Sequence, residues 1–171
     1  MLRDRTMTAL RYTTVDSVVG PLLLAGDHRA LHLVYFLNDH QPKAPPPDWR
    51  EDGRPFQEVI AQLKAYFAGR LRHFDLPLVL KGTDFQLRVW RSLQKIPYGE
   101  TTTYGELARQ VGSPEAARAV GLANGSNPIP IVIPCHRVIG SNGDLTGFGG
   151  GLPIKKKLLA LESKQKNLFR L

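Results

Sequence analysis

The sequence predicts a mixed α/β chain of the α+β kind. A small N-terminal domain of sheet plus helix precedes a mostly helical C-terminal domain with a winged-helix-like helix-turn-helix. Three observations carry this prediction. The N-terminal third consists of short apolar and β-branched runs separated by Gly, Asp and His; apolar residues at helical spacing follow; and two short capped helical segments meet at Val111-Gly112. With 171 residues and 42% hydrophobic content, the chain suits one domain or two small ones and can bury a real core.

Taken in order, residues 9–15, 20–25 and 30–37 read as strands of an antiparallel meander. Residues 38–55, polar and rich in proline, read as a surface loop that ends the sheet. Phe56, Val59, Ile60, Leu63, Tyr66 and Phe67 fall near helical spacing, so residues 55–68 form a helix closed by Gly69. A short apolar strand over 76–80 and a Lys81-Gly82 hinge then separate a domain of residues 1–80 from one of 83–171.

In the second domain, Thr83-Asp84-Phe85-Gln86 fits a capping box, in which hydroxyl and amide side chains satisfy the first free backbone N–H groups, and opens a helix through Lys95. Thr103-Tyr104-Gly105-Glu106 is a second such box, opening a helix to about Gln110. Ser113-Pro114 supplies a cap and a proline at the first helical position, predicting a helix through Ala123. Residues 129–133 read as a buried strand stopped by Pro134, and 140–151 as a glycine-rich loop. No Gly-Lys-Ser/Thr follows that loop, so it is a pocket wall rather than a triphosphate cradle. A last helix over 153–162 turns Ile154, Leu158 and Leu161 inward, and 163–171 is a fraying tail.

Cys135 is the only cysteine. It cannot form an intrachain disulfide, so any chemistry it performs is nucleophilic. An ordinary thiol is only about 3% ionised at neutral pH, and the adjacent His136 and Arg137 are candidate activating donors. Adjacent strand residues point to opposite faces, so contact between Cys135 and His136 requires the chain to leave extended geometry after Pro134, or a bridging water. The net charge of +8 and pI near 9.9 favour a polyanionic partner. In the second helix of the helix-turn-helix, Ala116, Ala117, Ala119, Gly121 and Ala123 surround one long cation, Arg118, so a backbone could approach nucleic acid while the arginine enters a groove. Lys155, Lys156 and Lys157 read as a solvated helix face. With no apolar run of bilayer length and no signal-type start, a cytoplasmic location is expected.

Together, Pro134-Cys135-His136-Arg137-Val138, Ala116-Ala117-Arg118-Ala119-Val120-Gly121 and Asn127-Pro128 resemble the methylated-DNA-protein-cysteine methyltransferases, or O6-alkylguanine-DNA alkyltransferases. The resemblance runs from about Gly82 to Glu162. It implies repair by base flipping and irreversible transfer of an alkyl group from O6-alkylguanine, and from O4-methylthymine, to Cys135. By the same resemblance, His136 activates the thiol through a water, Glu162 holds the histidine, and Asn127 ties the helix-turn-helix to the cysteine segment. Tyr104 donates to the base, and Arg118 fills the space left by the flipped nucleotide, with Ala117, Ala119 and Gly121 beside it on DNA. Pro130, Val138, Phe148, Gly149 and Gly150 line the base pocket; Phe148-Gly149 stands where tyrosine-serine is common in animal relatives. The implied partner is double-stranded DNA carrying O6-alkylguanine, met by a monomer with the option of cooperative binding along DNA. No cofactor or metal is implied, since the N-terminal region lacks the cysteines that hold zinc in some relatives. Two alternatives remain: a noncatalytic helix-turn-helix DNA-binding or damage-recognition protein, and a cysteine hydrolase using Cys135, His136 and Glu162.

Overall fold

A computed structural model describes residues 9–38 and 44–168. Strands β1 (Arg11–Val15), β2 (Leu22–Gly26) and β3 (Leu31–Phe36) form the expected antiparallel meander. β2 is buried along its whole length, and Leu-Leu-Leu-Ala-Gly is accordingly a continuous run of apolar and small residues. At its end Gly26 is required: a Cβ there would lie 2.3 Å from the Ala30 carbonyl oxygen.

The sheet does not end at residue 38. β4 (Arg50–Glu51) pairs in parallel with β1, giving the order β3-β2-β1-β4 inside a segment expected to be loop throughout. Two flanking backbone bonds fix it: Arg50 N–H donates to Leu10 O (3.0 Å) and Asp52 N–H to Tyr12 O (2.9 Å). The Asp52 carboxylate adds Arg11 and Arg54 as partners. Residues 39–43 of the same predicted loop lie outside the described residues.

Helix α1 (Gln57–Phe67) follows a 3-10 turn at Arg54–Phe56 and ends at Gly69, whose φ of +74° carries the chain away. The strand expected over 76–80 is a single bridge, Leu31 to Leu78. Pro77 has no N–H to extend a ladder; only the Leu31 N–H to Pro77 O and Val79 N–H to Leu31 O bonds form.

α2 (Asp84–Leu93) begins with the full Thr83/Gln86 capping box. β5 (Thr102–Thr103) then pairs in parallel with β6 (Val138–Ile139), which fastens the start of α3 (Tyr104–Gln110) beside the segment leaving Cys135. The second box is half formed: Thr103 accepts from Glu106 N–H, while the Glu106 carboxylate accepts from the Thr102 hydroxyl at 3.0 Å. α4 (Ala117–Gly125) starts later than the Ser113-Pro114 cap predicted. Ser113 N–H is held by Ala108 O, and Ala116 N–H closes a tight turn onto Ser113 O, so the helical ladder begins with Val120 N–H to Ala116 O.

α5 (Leu152–Leu168) runs through most of the predicted fraying tail; the final three residues lie outside the described set. One apolar cluster takes in β-sheet residues Leu22 and Phe36, Leu63 of α1, and Val89, Leu107, Val120 and Leu158 of the C-terminal helices. Among the described residues no helix is long and apolar enough to cross a membrane.

Candidate active site

The segment before Cys135 is not a strand. Ile131 has φ +74°, a left-handed conformation that a β-branched residue rarely adopts, and Ile133 N–H folds back to Ile129 O at 2.9 Å. Ile129, Ile131 and Ile133 are still buried, so the apolar run reports burial rather than extension. Asn127 staples the turn: its amide donates to Ile133 O (2.8 Å) and its Oδ1 accepts from Ile129 N–H (3.0 Å). From α4, the buried Asn124 amide donates to the Cys135 carbonyl at 3.3 Å.

Cys135 opens a 3-10 turn, Cys135–Arg137, closed by Arg137 N–H to Pro134 O at 3.0 Å. Successive 3-10 residues project about 120° apart rather than to opposite faces. The departure from extended geometry that a thiol-histidine arrangement requires is therefore present.

Behind the turn lies a buried network centred on Glu162 of α5. His136 Nε2 donates to Glu162 Oε1 at 2.8 Å, and the Tyr66 hydroxyl of α1 donates to the same oxygen at 2.7 Å. Arg137 adds Nε to Oε2 and a terminal nitrogen to Oε1, both at 2.9 Å, while its other nitrogen donates to Ile96 O. Gly99 N–H completes the set at 3.2 Å. Burial opposes ionisation of Glu162, but the donors from His136 and Arg137 prevail and hold its carboxyl down to about 2.

An ionised Glu162 fixes the histidine. Burial lowers the His136 pKa against the pull of Glu162, so the ring is neutral with its proton on Nε2, facing the carboxylate. That leaves Nδ1 as the basic atom, and it is buried without a protein partner among the described residues. Burial pushes the Cys135 thiol up to about 11, opposed by the Asn127 side chain, the Lys155 charge and the N–H groups of Cys135 and His136. At rest the sulfur is a protonated thiol beside a neutral base.

Lys155 corrects the expectation of a solvated lysine face. Its side chain is fully buried, and Nζ donates to Val138 O (2.6 Å) and Thr146 O (2.9 Å), joining the strand after the cysteine to the glycine-rich loop. Lys156 and Lys157 are exposed. Nothing within Lys-Lys-Lys distinguishes its first member except the register of α5, which places Lys155 inward between Ile154 and Leu158. Tyr66 and Asn124 likewise carry no sequence signal for these contacts, since a tyrosine and an asparagine on helices read as core and turn residues.

Cys135 opens on a cavity of about 250 Å³ whose walls include Asn127, Pro130, Phe148, Gly149 and Gly150. This exceeds the roughly 150 Å³ cavity that holds a benzene ring. Val138 does not stand on this wall; it is wholly buried, and its carbonyl accepts from Lys155. The Tyr104 hydroxyl donates to Thr146 O at 3.1 Å, and a Cβ on Gly121 would lie 3.7 Å from the Tyr104 ring, so α3, α4 and the loop meet there. Ala117 is partly buried, while Arg118 and Ala119 face solvent on α4. The fold thus joins Cys135, His136, Asn127 and Glu162 through one turn and sets Arg118 on the outer helix face. Among the described residues no group of three or more His, Cys, Asp or Glu side chains is placed to hold a metal.

Comparison with known proteins agrees with this geometry. Residues 10–80 match the family model described as 6-O-methylguanine DNA methyltransferase, ribonuclease-like domain, and residues 84–164 match the DNA binding domain of the same family. The chain is 56% identical over 156 residues to the methylated-DNA--protein-cysteine methyltransferase of Mycolicibacterium paratuberculosis, covering 91% of this chain and 93% of that protein. Identity to the Methanosarcina acetivorans protein of the same name is 53% over 151 residues, covering 88% and 97%. The crystal structure of Mycobacterium tuberculosis OGT in complex with DNA superposes with a TM-score of 0.85 at 53% identity, covering 91% of this chain and 94% of that one. By sequence and by fold, the chain belongs to the 6-O-methylguanine DNA methyltransferase family.

Proposed function

We propose that this chain repairs double-stranded DNA by direct reversal, moving the alkyl group of a flipped O6-alkylguanine, or of O4-methylthymine, onto Cys135. The observation that carries the reading is the buried bond from neutral His136 to ionised Glu162, one residue from a Cys135 that lines a cavity large enough for a ring system. In the proposed step the Cys135 proton passes to His136 Nδ1 through a bridging water, and the imidazolium is stabilised by Glu162. The sulfur then attacks the alkyl carbon. A carbon–sulfur bond forms as the carbon–oxygen bond breaks, the electron pair returns to the guanine ring, and guanine takes up the proton that the thiol released. The products are S-alkylcysteine and restored guanine. The reaction stops there, because S-alkylcysteine is a thioether whose carbon–sulfur bond neither water nor a thiol cleaves under ordinary conditions.

Arg118 and the small residues Ala117, Ala119 and Gly121 support placing α4 against the DNA, with the arginine filling the vacated stack. Asn127 joins that helix to the cysteine turn, and Tyr104, whose hydroxyl reaches the glycine-rich loop at Thr146, is taken as the donor to the displaced base. In this reading the protein acts as a cytoplasmic monomer. Incubation with duplex DNA carrying a radiolabelled O6-methyl group is expected to move the label to the wild-type chain and not to Cys135→Ser. Label released to water would instead favour a hydrolase, and tight binding of the modified duplex with no transfer would favour a noncatalytic binder.

A further inference from the structure

The substrate cavity is not built by the C-terminal half alone. Leu33, Val34, Tyr35 and Phe36, all on β3 of the N-terminal sheet, form part of its wall. Three contacts tie β3 and the residues after it to the other walls. Val34 N–H donates to Pro128 O at 3.0 Å, next to Asn127. The Asn38 amide donates to Gly150 O at 2.9 Å. The Phe36 ring packs against Phe148 with centroids 5.5 Å apart and planes at 58°.

Gly150 shows how tightly the loop is seated. A Cβ there would meet Phe36 Cδ2 at 2.7 Å and Cε2 at 2.9 Å, with Phe148 Cε1 at 3.0 Å, so the loop backbone lies directly on the Phe36 ring. Phe36 is itself almost wholly buried. Within the glycine-rich segment Gly151 N–H donates to Phe148 O at 2.9 Å, and glycine backbones are the most permissive of all. The segment's position in the cavity is also held from outside, by Lys155 at Thr146, by Phe36 of β3 at Phe148 and Gly150, and by Asn38 at Gly150.

We infer that Phe36, assisted by Asn38, is a positioning residue for the reaction, through which the N-terminal sheet sets the glycine-rich wall against the modified base. This rests on the proposed alkyl transfer at Cys135. Its consequence is specific to the substrate. A free modified base has only the cavity walls to orient it, whereas a base carried in duplex is also held by its own backbone against α4. Loosening the wall therefore penalises the free base more. Loss of the Arg118 finger does the reverse.

The experiment measures second-order rate constants for Cys135 alkylation by free O6-benzylguanine and by duplex O6-methylguanine, with thermal melting of each variant. For Phe36→Ala the expected loss is about tenfold or more on the free base and no more than about threefold on the duplex. Phe36→Leu restores most of the free-base rate, and Asn38→Ala shifts the ratio in the same direction by about threefold. Because Phe36 is a core residue, Phe36→Ala is assayed below its melting transition, and Asn38→Ala serves as the variant that leaves the core intact. Equal loss on both substrates across these variants, or an unchanged ratio, would overturn the positioning role. Failure of the wild-type chain to alkylate at all would instead reject the transfer reading on which it rests.

Discussion

Replacing Glu162 by Gln removes one charge and one acceptor from a carboxylate that receives His136, Arg137, Tyr66 and Gly99. Two routes to the stability effect agree. Breaking a buried ion pair by altering one partner is worth about 3–5 kcal/mol. Folding also lowers the carboxyl from its ordinary 4.5 to about 2, which at about 1.4 kcal/mol for each pH unit corresponds to about 3 kcal/mol. That stabilisation is complete above pH 4.5 and is lost as pH falls through about 2. At about 2–4 °C for each kcal/mol in a chain of this size, Glu162→Gln melts about 6–20 °C below wild type. The kinetic effect is larger in proportion. An amide oxygen in the place of Oε1 can still accept from His136 Nε2 and the Arg137 terminal nitrogen. The amide nitrogen then faces the Arg137 Nε–H and Gly99 N–H donors, and the negative charge that stabilises the imidazolium is gone, so alkyl transfer slows by about 10²- to 10⁴-fold. Duplex affinity stays within about threefold, because Glu162 is buried on α5 and the surface proposed to meet DNA is on α4. Single-turnover transfer of labelled methyl at 15–20 °C, beside a binding titration and a melting curve, checks all three. A folded variant that transfers at the wild-type rate would refute the His136–Glu162 relay.

Arg118→Ala is expected to slow repair of duplex O6-methylguanine by tenfold or more while leaving reaction with free O6-benzylguanine within about twofold; equal losses would reject the finger role. Lys155→Met keeps an unbranched stem but strips Val138 O and Thr146 O of their shared donor, so a stability loss of about 1–3 kcal/mol and a slower transfer are expected in melting and label-transfer assays. The Lys155 charge also helps to hold the Cys135 thiol pKa down, so part of the rate loss should be a uniform lowering of the pH profile rather than a change in its shape. Burial depresses the His136 pKa, so the pH profile of methyl transfer should hold level below the ordinary value of 6.5 and decline only in more acid solution. A half-maximal rate at or above 6.5 would contradict a neutral buried base.

The chemistry was legible in the sequence because it sits in contiguous residues. A lone cysteine next to His and Arg, and a lone Arg among small helix residues, are local facts. The meander, the capped α2 and the helix-turn-helix were legible for the same reason, since caps and turns act over three or four residues. What was not legible depends on distance in sequence or on register. Residues 129–133 have strand-like composition, but the Asn127 staple and the left-handed Ile131 fold them into a turn. β4 exists only because β1 offers it an edge, and the strand expected at 76–80 is cut short because Pro77 cannot extend one. Lys155 differs from Lys156 and Lys157 only in the direction α5 points it, and the wall supplied by Phe36 joins residues more than a hundred positions apart.

The most direct measurement counts methyl groups on the chain. With a large excess of O6-methylguanine duplex over protein, intact mass and peptide mapping are expected to show one added methyl per chain, on Cys135, with repair ceasing at one equivalent. More guanine restored than protein present, label on another residue, or full repair by Cys135→Ser would contradict transfer to this thiol.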